Sequence, residues 1–464
     1  MTDSPVVGAD TPGAQPASLR SFLYQLDTAD ALRRVTREVD PRFELPAFLW
    51  HLAAGPAVLF ERVRGADMPA VGNVLNTRHR FGLGLGVPWR HVYERCLAAL
   101  DGPIPPVVVP AGPCQEVQAD VDLTRLPVPT WFEQEAGPYL TAGVIVARDP
   151  VSGRRNVSIA RLQVRGPRDA FIGIAPNHHL SVFARRAAAQ GRRLELAVTV
   201  GQHPAIVLAS NLYVRVGDDE LGYAGALLGH PVPLVRCRTV DLEVPAESEV
   251  VLEGTLDPTS LVEEGPVSEF HGLYQRYKRG PLVHFSAVTT RRDPIFQVIT
   301  PGFQPEHLLI GAVAIGATCG RAVRVALPEA DAHVVISEAG GGRMHAVVAL
   351  RDPRPGDARK AMLAVWAHVN LVKLITVVDT DVDPYDPNAV EYAVATRFRA
   401  DRDVVILPRV RGDRADPLVT DGLVTKMGLD ATRKEEDRDD WMPARPPADV
   451  LVRVAAELGM DPPE

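Results

Sequence analysis

Between Tyr139 and Thr300 the chain passes through "YLTAGVIVAR", "RNVSIARLQV", "LELAVTV", "AIVLAS", "LVRCRTVDLEV", "LVHFSAVTTRR" and "PIFQVIT". These are short runs of strand-forming residues, and one helical stretch, "LSVFARRAAAQ", interrupts them. Such a succession predicts a β-rich central domain of barrel or sandwich type. The flanks differ. Upstream, "WRHVYERCLAAL" puts Trp89, Val92, Tyr93, Cys96, Leu97 and Leu100 on one helical face, while "PAVLFERV" and "PAVGNVL" read as strands. Downstream, "HAVVALR", "ARKAMLAVWAHV", "LITVVD" and "AVEYAVATRF" alternate strand with helix, an α/β pattern.

At about 150 residues per domain, 464 residues make about three domains. The expected divisions are a disordered tail over 1–18, an N-terminal α/β domain over 19–115 and the central domain over 116–304. A C-terminal α/β domain for self-association follows over 305–440, then a tail or helix over 441–464.

A net charge of −8 argues against nucleic acid as a partner, because phosphate backbones are held by clustered Lys and Arg. Cys96, Cys114, Cys237 and Cys319 are scattered and form no CxxC pair, which fits a reducing compartment and gives no zinc framework. The N-terminus has neither the charged nor the apolar region of a signal peptide. The run "LLIGAVAIGATCG" reads as too short and too glycine-rich to span a bilayer, so a cytoplasmic location is expected.

Several suggestive motifs lack the parts their chemistry needs. "GLGLG" at Gly82–Gly86 is not GxGxxG and reads as a flexible connection. "DTDVDPYDPNAVE" opens like a calcium loop, but Pro384 stands where glycine is needed and Val390 where the bidentate glutamate belongs. "EAGGGRMH" could cradle an anion and reads more simply as a surface turn.

Three polar segments of the β-rich region remain. "RNVSIAR" carries Asn156, Ser158 and Arg161, and strict strand alternation sends Asn156 and Arg161 to opposite faces unless the strand bulges. "APNHHLSVFARR" sets His178 and His179 at a helix entrance, where they could serve a metal, a phosphate or the fold alone. Glu220 follows two aspartates in "GDDELGYAG", a loop that could equally be solvated. Asn156, His179 and Glu220 together would form a mixed oxygen and nitrogen set suited to Mn²⁺ or Mg²⁺ rather than zinc. Glu264 and Glu269 flank a Gly-Pro in "EEGPVSEFHG", either as charges on a solvated turn or as paired acids.

Taken in order, "NVSIAR", "PNHH", "ELGYAGALLGHPVPLVRC", "EVVLEGTLDP", "EEGPVSEFHG" and "TKMGLDAT" resemble the motifs of the UbiD-family decarboxylases, from about Val35 to Thr432. This family includes polyprenyl-4-hydroxybenzoate and ferulate or cinnamate decarboxylases. The resemblance implies an α/β multidomain protein (α+β overall). Its central domain would be a split β-barrel similar to flavin reductases, flanked by N-terminal and C-terminal α/β domains. It implies prenylated FMN with its phosphate bridged by Mn²⁺ (or Mg²⁺) and K⁺. The divalent ligands fall on Asn156, His179 and Glu220, and the K⁺ ligands on Ala209, Ser210, Leu212 and Glu220. Flavin contacts fall on Ser158, Ile159, Ala160 and Arg161, with His178 beside the metal histidine and Lys426 a phosphate or loop-anchoring contact. The catalytic network falls on Arg161, Glu264 and Glu269. Ferulate-type enzymes have Gln where His178 stands, so their substrate preference is not carried over.

The implied reaction is a reversible, non-oxidative decarboxylation of an aromatic, heteroaromatic or α,β-unsaturated acid, with the cofactor as electron sink. An electrostatic donor such as Arg161 supplies only about 3–4 kcal/mol of the roughly 8–23 kcal/mol required. Glu269 is expected to donate the proton, which needs a carboxyl titrating above its ordinary value, and Glu264 to orient Arg161. Gly265-Pro266 is expected to turn the chain so that both acids reach Arg161. A flavin prenyltransferase would supply the cofactor, and a homodimer is expected. A plain FMN reductase and an auxiliary carboxylase subunit are the alternatives, and His271 has no assigned role.

Overall fold

The computed structural model describes residues 17–176, 178–434 and 444–460. Among these, strands form sheets of four, nine, three and five members. The first holds Leu32–Val39, Ala57–Val63, Ala70–Gly72 and, from far along the chain, Phe296–Gln297. "PIFQVIT" thus pairs in parallel with Ala70–Val71 instead of joining the central strands. The tail expected over 1–18 lies outside the described residues up to position 16. Ser18 itself is buried and closes a capping box on helix Leu19–Thr28.

The nine-stranded sheet is built on a hairpin of Val250–Ser268 with Tyr274–Thr290. A 19-residue strand would reach about 60 Å if flat. Register shifts at Glu253/Gly254 and between Asp257 and Leu261 bend it instead. Gly254 sits at the first shift because a Cβ there would strike the His284 carbonyl. From the hairpin the sheet extends through Leu194–Val200 and Val144–Arg148 to Arg155–Ile159. On the other side it extends through Asp169–Ile172 and Leu162–Val164 to Tyr139–Leu140. Only Ala160 and Arg161 separate Ile159, on one edge strand, from Leu162, next to the opposite edge. The three Cα–Cα steps from Ile159 to Leu162 span about 11 Å at most, so the sheet must curl to bring these two strands close. Helix His179–Ala189 buries Leu180, Phe183, Ala184 and Ala187 in the same core as this curled sheet.

"AIVLAS", read above as strand, is helix Pro204–Ala209. Periodicity cannot decide so short an apolar run. Pro204 at the first turn and the His203 ring, which accepts the Ala205 N–H, decide it for helix. "GLGLG" is likewise no connection: helix Arg78–Leu85 runs through it and ends on Gly86 at φ +66. Gly82 and Gly84 have no room for a Cβ, since Trp89 and Pro204 pack against them.

The C-terminal sheet has the order Ala332–Ile336, His345–Leu350, Leu374–Asp379, Leu423–Asp430, Val404–Arg411, with parallel central pairs. Helix Pro305–Ala326 covers it. This helix begins before the apolar run and ends after it, so at 22 residues, with mean hydropathy 1.6 over its most apolar 18-residue stretch, it is long and apolar enough to cross a membrane. Its most apolar window is 83% buried within the protein, which makes it a core helix. Its glycines allow close approach: Gly316 meets the Val334 carbonyl and Gly320 the Tyr93 hydroxyl. Gly320→Ala should therefore cost about 1–3 kcal/mol by overpacking, read as a lower urea midpoint at unchanged m value.

Glu306, in the first turn of that helix, accepts the Leu75 N–H at 2.7 Å and ties the N-terminal sheet to the C-terminal unit. Burial pushes its carboxyl up to about 7, against the opposing pull of the Leu75 N–H and Arg80. Between about pH 4.5 and 7 the unfolded chain loses this proton while the folded protein keeps it. The folded state then binds more protons, so stability falls as pH rises through that window. Glu306→Gln should flatten the fall by about 3 kcal/mol in pH-dependent urea titrations, and an unchanged slope would contradict this.

Candidate active site

Among the described residues, Arg155–Ile159 is an edge strand, paired only with Val144–Arg148. Its outward N–H at Val157 is free of the ladder, and Glu220 Oε2 accepts it at 2.8 Å. Glu220 opens helix Glu220–Leu228, whose cap is the Asp219 side chain on the Leu221 N–H. Its other oxygen accepts from Asn156 Nδ2 at 2.7 Å, and the same Nδ2 lies 3.4 Å from His179 Nδ1. The three expected metal ligands, separated in sequence, therefore converge.

A divalent cation fits these residues. Among the described residues, Asn156 Oδ1 is buried without a hydrogen-bond partner, and burial pushes the Glu220 carboxyl up to about 8, the response of an acid lacking a countercharge. Burial keeps His179 below its ordinary value, in the neutral form that ligates metals. The amide presents Nδ2 to its neighbours, so ligation through Oδ1 requires it turned over. Among the described residues no three His, Cys, Asp or Glu side chains gather without it.

His178 is the N-cap of helix His179–Ala189, with Nδ1 accepting the Leu180 N–H at 3.3 Å. Burial, then the neighbouring His179 and Arg414, holds its ring down to about 4. Ala209 and Ser210 end helix Pro204–Ala209, and Leu212 follows, donating its N–H to the Ala209 carbonyl at 3.1 Å. All three are buried at the C-terminal end of that helix, where the dipole favours a cation. Ser158 Oγ is buried and has no hydrogen-bond partner among the described residues. Lys426 Nζ donates to the carbonyls of Val369 and Asn370 at 3.4 and 3.2 Å, at the end of helix Asp357–His368. Asn177 lies outside the described residues.

Arg161 reaches the acids without a bulge, because the strand ends at Ile159 and frees the chain to cross to the next edge. Its guanidinium grips Glu264 through Nε and Nη2 at 2.5 and 2.9 Å, and Nη1 donates to Glu269 at 3.2 Å. Burial works to lower the guanidinium's affinity for its proton, but the Glu264 hydrogen bonds and charge, then Glu269, hold it above its ordinary value. Gly173 leaves room for the group, since a Cβ there would collide with it.

The Gly-Pro makes no turn. Val250–Ser268 continues through it, with Gly265 opposite Tyr277 and Pro266 opposite Arg276. Residues five apart face opposite ways in a regular strand. Gly265 at φ +87 and the strand's end at Ser268 break that rule. The chain reverses at Glu269–Leu273, where the Glu269 N–H meets the Leu273 carbonyl, the Gly272 N–H meets the Glu269 carbonyl, and His271 accepts the Leu273 N–H. His271 thus belongs to the hairpin loop.

Four further residues were missed. Tyr277 donates its hydroxyl to Glu269 Oε1 at 2.8 Å, with the Arg161 guanidinium 5.1 Å above its ring. Hairpin pairing across "EEGP" was the available signal for it. Glu135 accepts from the Ser268 hydroxyl, and its carboxyl is raised by burial. His307 is neutral, pushed down to about 3 by burial and by Arg343, with Nδ1 on the Gly302 carbonyl. Arg343 belongs to "EAGGGRMH", which is not a surface turn: its guanidinium lines the site, and burial lowers its affinity for its proton. With Arg161, Glu269, Ile159 and Ala160, these last three residues line an open cavity whose empty space, including the solvent at its opening, is about 850 Å³.

Models for the N-terminal, Rift-related and C-terminal domains of 3-octaprenyl-4-hydroxybenzoate carboxy-lyase match residues 23–100, 107–304 and 308–431. This chain belongs to the UbiD family. As a UbiD-family carboxy-lyase it is 34% identical to the anhydromevalonate phosphate decarboxylase of Methanosarcina mazei, over 91% of this chain and 97% of that one. The UbiD-class enzyme HmfF from Pelotomaculum thermopropionicum, solved with FMN, superposes with a TM-score of 0.88 at 39% identity, covering 95% of this chain and 99% of that one. An evolved dimeric form of HmfF, solved with prFMN, gives 0.87 at 38%, covering 95% and 100%. Apo 3,4-dihydroxybenzoic acid decarboxylase from Klebsiella pneumoniae gives 0.86 at 30%, covering 95% and 99%. UbiD enzymes thus share this mixed α/β architecture.

Proposed function

We propose that this UbiD enzyme is a prenylated-FMN decarboxylase of an aromatic, heteroaromatic or α,β-unsaturated acid. The observation that carries the reading is Arg161 held by Glu264 on one side and Glu269 on the other, in the lining of a cavity that Ile159 and Ala160 also line. Ser158, Ile159 and Ala160 would line the flavin, His178 and Lys426 support its surroundings, and the curled sheet would be the flavin-holding module. Asn156, His179 and Glu220 would hold Mn²⁺ or Mg²⁺, and Ala209, Ser210 and Leu212 with Glu220 would hold K⁺. When bound, prenylated flavin supplies the electron sink that side chains lack.

The chain's own residues do the rest. Arg161, fixed by its two-point contact with Glu264, presents Nη1 toward the cavity to orient the substrate carboxylate beside Glu269. The bond to the carboxyl carbon breaks, CO₂ leaves, and Glu269 delivers a proton to the vacated carbon. Tyr277, bonded to Glu269, holds that carboxyl in place and shields it. Glu269 is then reprotonated from solvent. A homodimer and supply of the cofactor by a flavin prenyltransferase complete the reading.

The test is a panel of carboxylic acids offered to protein produced with and without a flavin prenyltransferase. Expected are a modified-flavin absorbance and CO₂ release with the partner only; equal turnover without it would sink the cofactor assignment. Asn156→Ala should lower bound manganese, measured by elemental analysis, by more than tenfold while the protein stays folded.

A further inference from the structure

Tyr277 holds Glu269 through its hydroxyl, and an arginine from another part of the chain rests on Tyr277. Strands Val404–Arg411 and Leu423–Asp430 of the C-terminal sheet are joined by residues 412–422, and this loop brings Arg414 to the hairpin. The Arg414 guanidinium lies 4.3 Å from the centre of the Tyr277 ring, nearer than that of Arg161 at 5.1 Å. Among the described residues it makes no ion pair and no hydrogen bond, so the aromatic face is its partner. The loop that presents it is pinned. Buried Asp416 accepts from Lys373 Nζ at 3.0 Å and from the Leu418 N–H at 2.8 Å, and Asp413 accepts the Ala415 N–H at 3.0 Å. Burial and nearby Arg161 weaken the hold of Arg414 on its proton, while Tyr277, Glu269 and Glu264 act the other way. Arg414 is not among the residues that line the cavity. Both donors that reach Glu269, Arg161 Nη1 and the Tyr277 hydroxyl, end on Oε1. Among the described residues no hydrogen bond reaches Oε2. A carboxyl with two donors on one oxygen carries its own proton on the other, so these bonds decide which oxygen delivers it.

We propose that Arg414 is a positioning residue for the proton donor: seated on Tyr277, it keeps the phenol hydroxyl on Glu269 Oε1 and leaves the transferable proton on Oε2. The inference rests on the decarboxylase reading, in which Glu269 protonates the carbon that loses CO₂. The electron pair that CO₂ leaves behind forms the new C–H bond as the O–H bond at Oε2 breaks. That bond's own pair stays on the Glu269 carboxylate, and solvent returns the proton. Without Arg414 the phenol ring loses its cover and can leave Oε1, and the proton is then shared between the two oxygens. Proton delivery thus depends on a loop of the C-terminal sheet acting through Tyr277.

The test is a double-mutant cycle on the prenylated-flavin protein, using the acid of the carboxylic-acid panel that it turns over fastest. Arg414→Met should lower kcat by about 10- to 30-fold, with KM and flavin content nearly unchanged. Arg414→Lys, which keeps a cation over the ring, should restore part of the loss. Tyr277→Phe keeps the ring and removes the hydroxyl, and should lower kcat at least as far. The decisive variant carries both Arg414→Met and Tyr277→Phe. Its kcat should match that of Tyr277→Phe alone, because Arg414 acts through the hydroxyl that is already gone. A merely structural role would make the two losses multiply, and that result would overturn the proposal. So would an unchanged kcat in Arg414→Met, or a raised KM at constant kcat, which would assign the residue to substrate binding. If Arg414→Met fails to fold, Arg414→Lys takes its place in the same cycle. The two readings fail separately. Absence of CO₂ release from every acid of the panel contradicts the decarboxylase, whereas release with independent losses contradicts only the role of Arg414.

Discussion

Glu269→Gln should lower turnover of the cofactor-loaded protein by about 10²–10⁴-fold, the usual contribution of a positioned proton donor. The amide keeps the size of the side chain and can still accept from Arg161 Nη1 and from Tyr277, the two donors that hold Glu269 now. Flavin content and unfolding midpoint should therefore move little. The separation between chemistry and stability is the point of the prediction. A reductase using plain FMN in the same fold has no need of this acid, and activity surviving the substitution would favour it.

Arg161→Met should be destructive in a different way. Glu264 has a fully buried side chain whose two oxygens are both held by Arg161. Removing the guanidinium strands that carboxylate, at a cost of about 3–5 kcal/mol. The loss should appear as a lower urea midpoint together with loss of turnover. The double variant Arg161→Met with Glu264→Gln removes both charges and should recover much of the stability without recovering turnover. If the double variant is no more stable than Arg161→Met, the buried pair is not what holds this part of the site together.

The sequence announced the chemistry of the site better than its geometry. Asn156, His179 and Glu220 were legible because their side-chain types suit one metal, and they do converge at an edge strand and two helix starts. Arg161, Glu264 and Glu269 were legible as residue types, but the means of bringing them together was not. A bulge was expected near Arg161 and a turn at Gly265-Pro266. The chain instead ends one strand at Ile159, crosses between sheet edges, and carries the other strand through the Gly-Pro to Ser268. Such crossings depend on how far the sheet curls, which is a tertiary property that local periodicity does not encode. The same limit hid Arg343: its own loop reads as a polar turn, and only helix Pro305–Ala326, lacking a Cβ at Gly311, gives it a place. "AIVLAS" and "GLGLG" failed for a local reason. Their helices are short, and caps and packing at Pro204, His203 and Gly86 outweigh the apolar or glycine-rich texture.

The measurement that bears most directly on the central claim is a single experiment in D₂O with the prenylated-flavin protein and an acid it accepts. The account predicts one CO₂ per product molecule and one deuterium at the carbon that carried the carboxyl, seen by NMR, with no oxidation or reduction of the product. A product oxidised or reduced relative to the acid, or CO₂ released at the same rate by protein holding plain FMN, would contradict it.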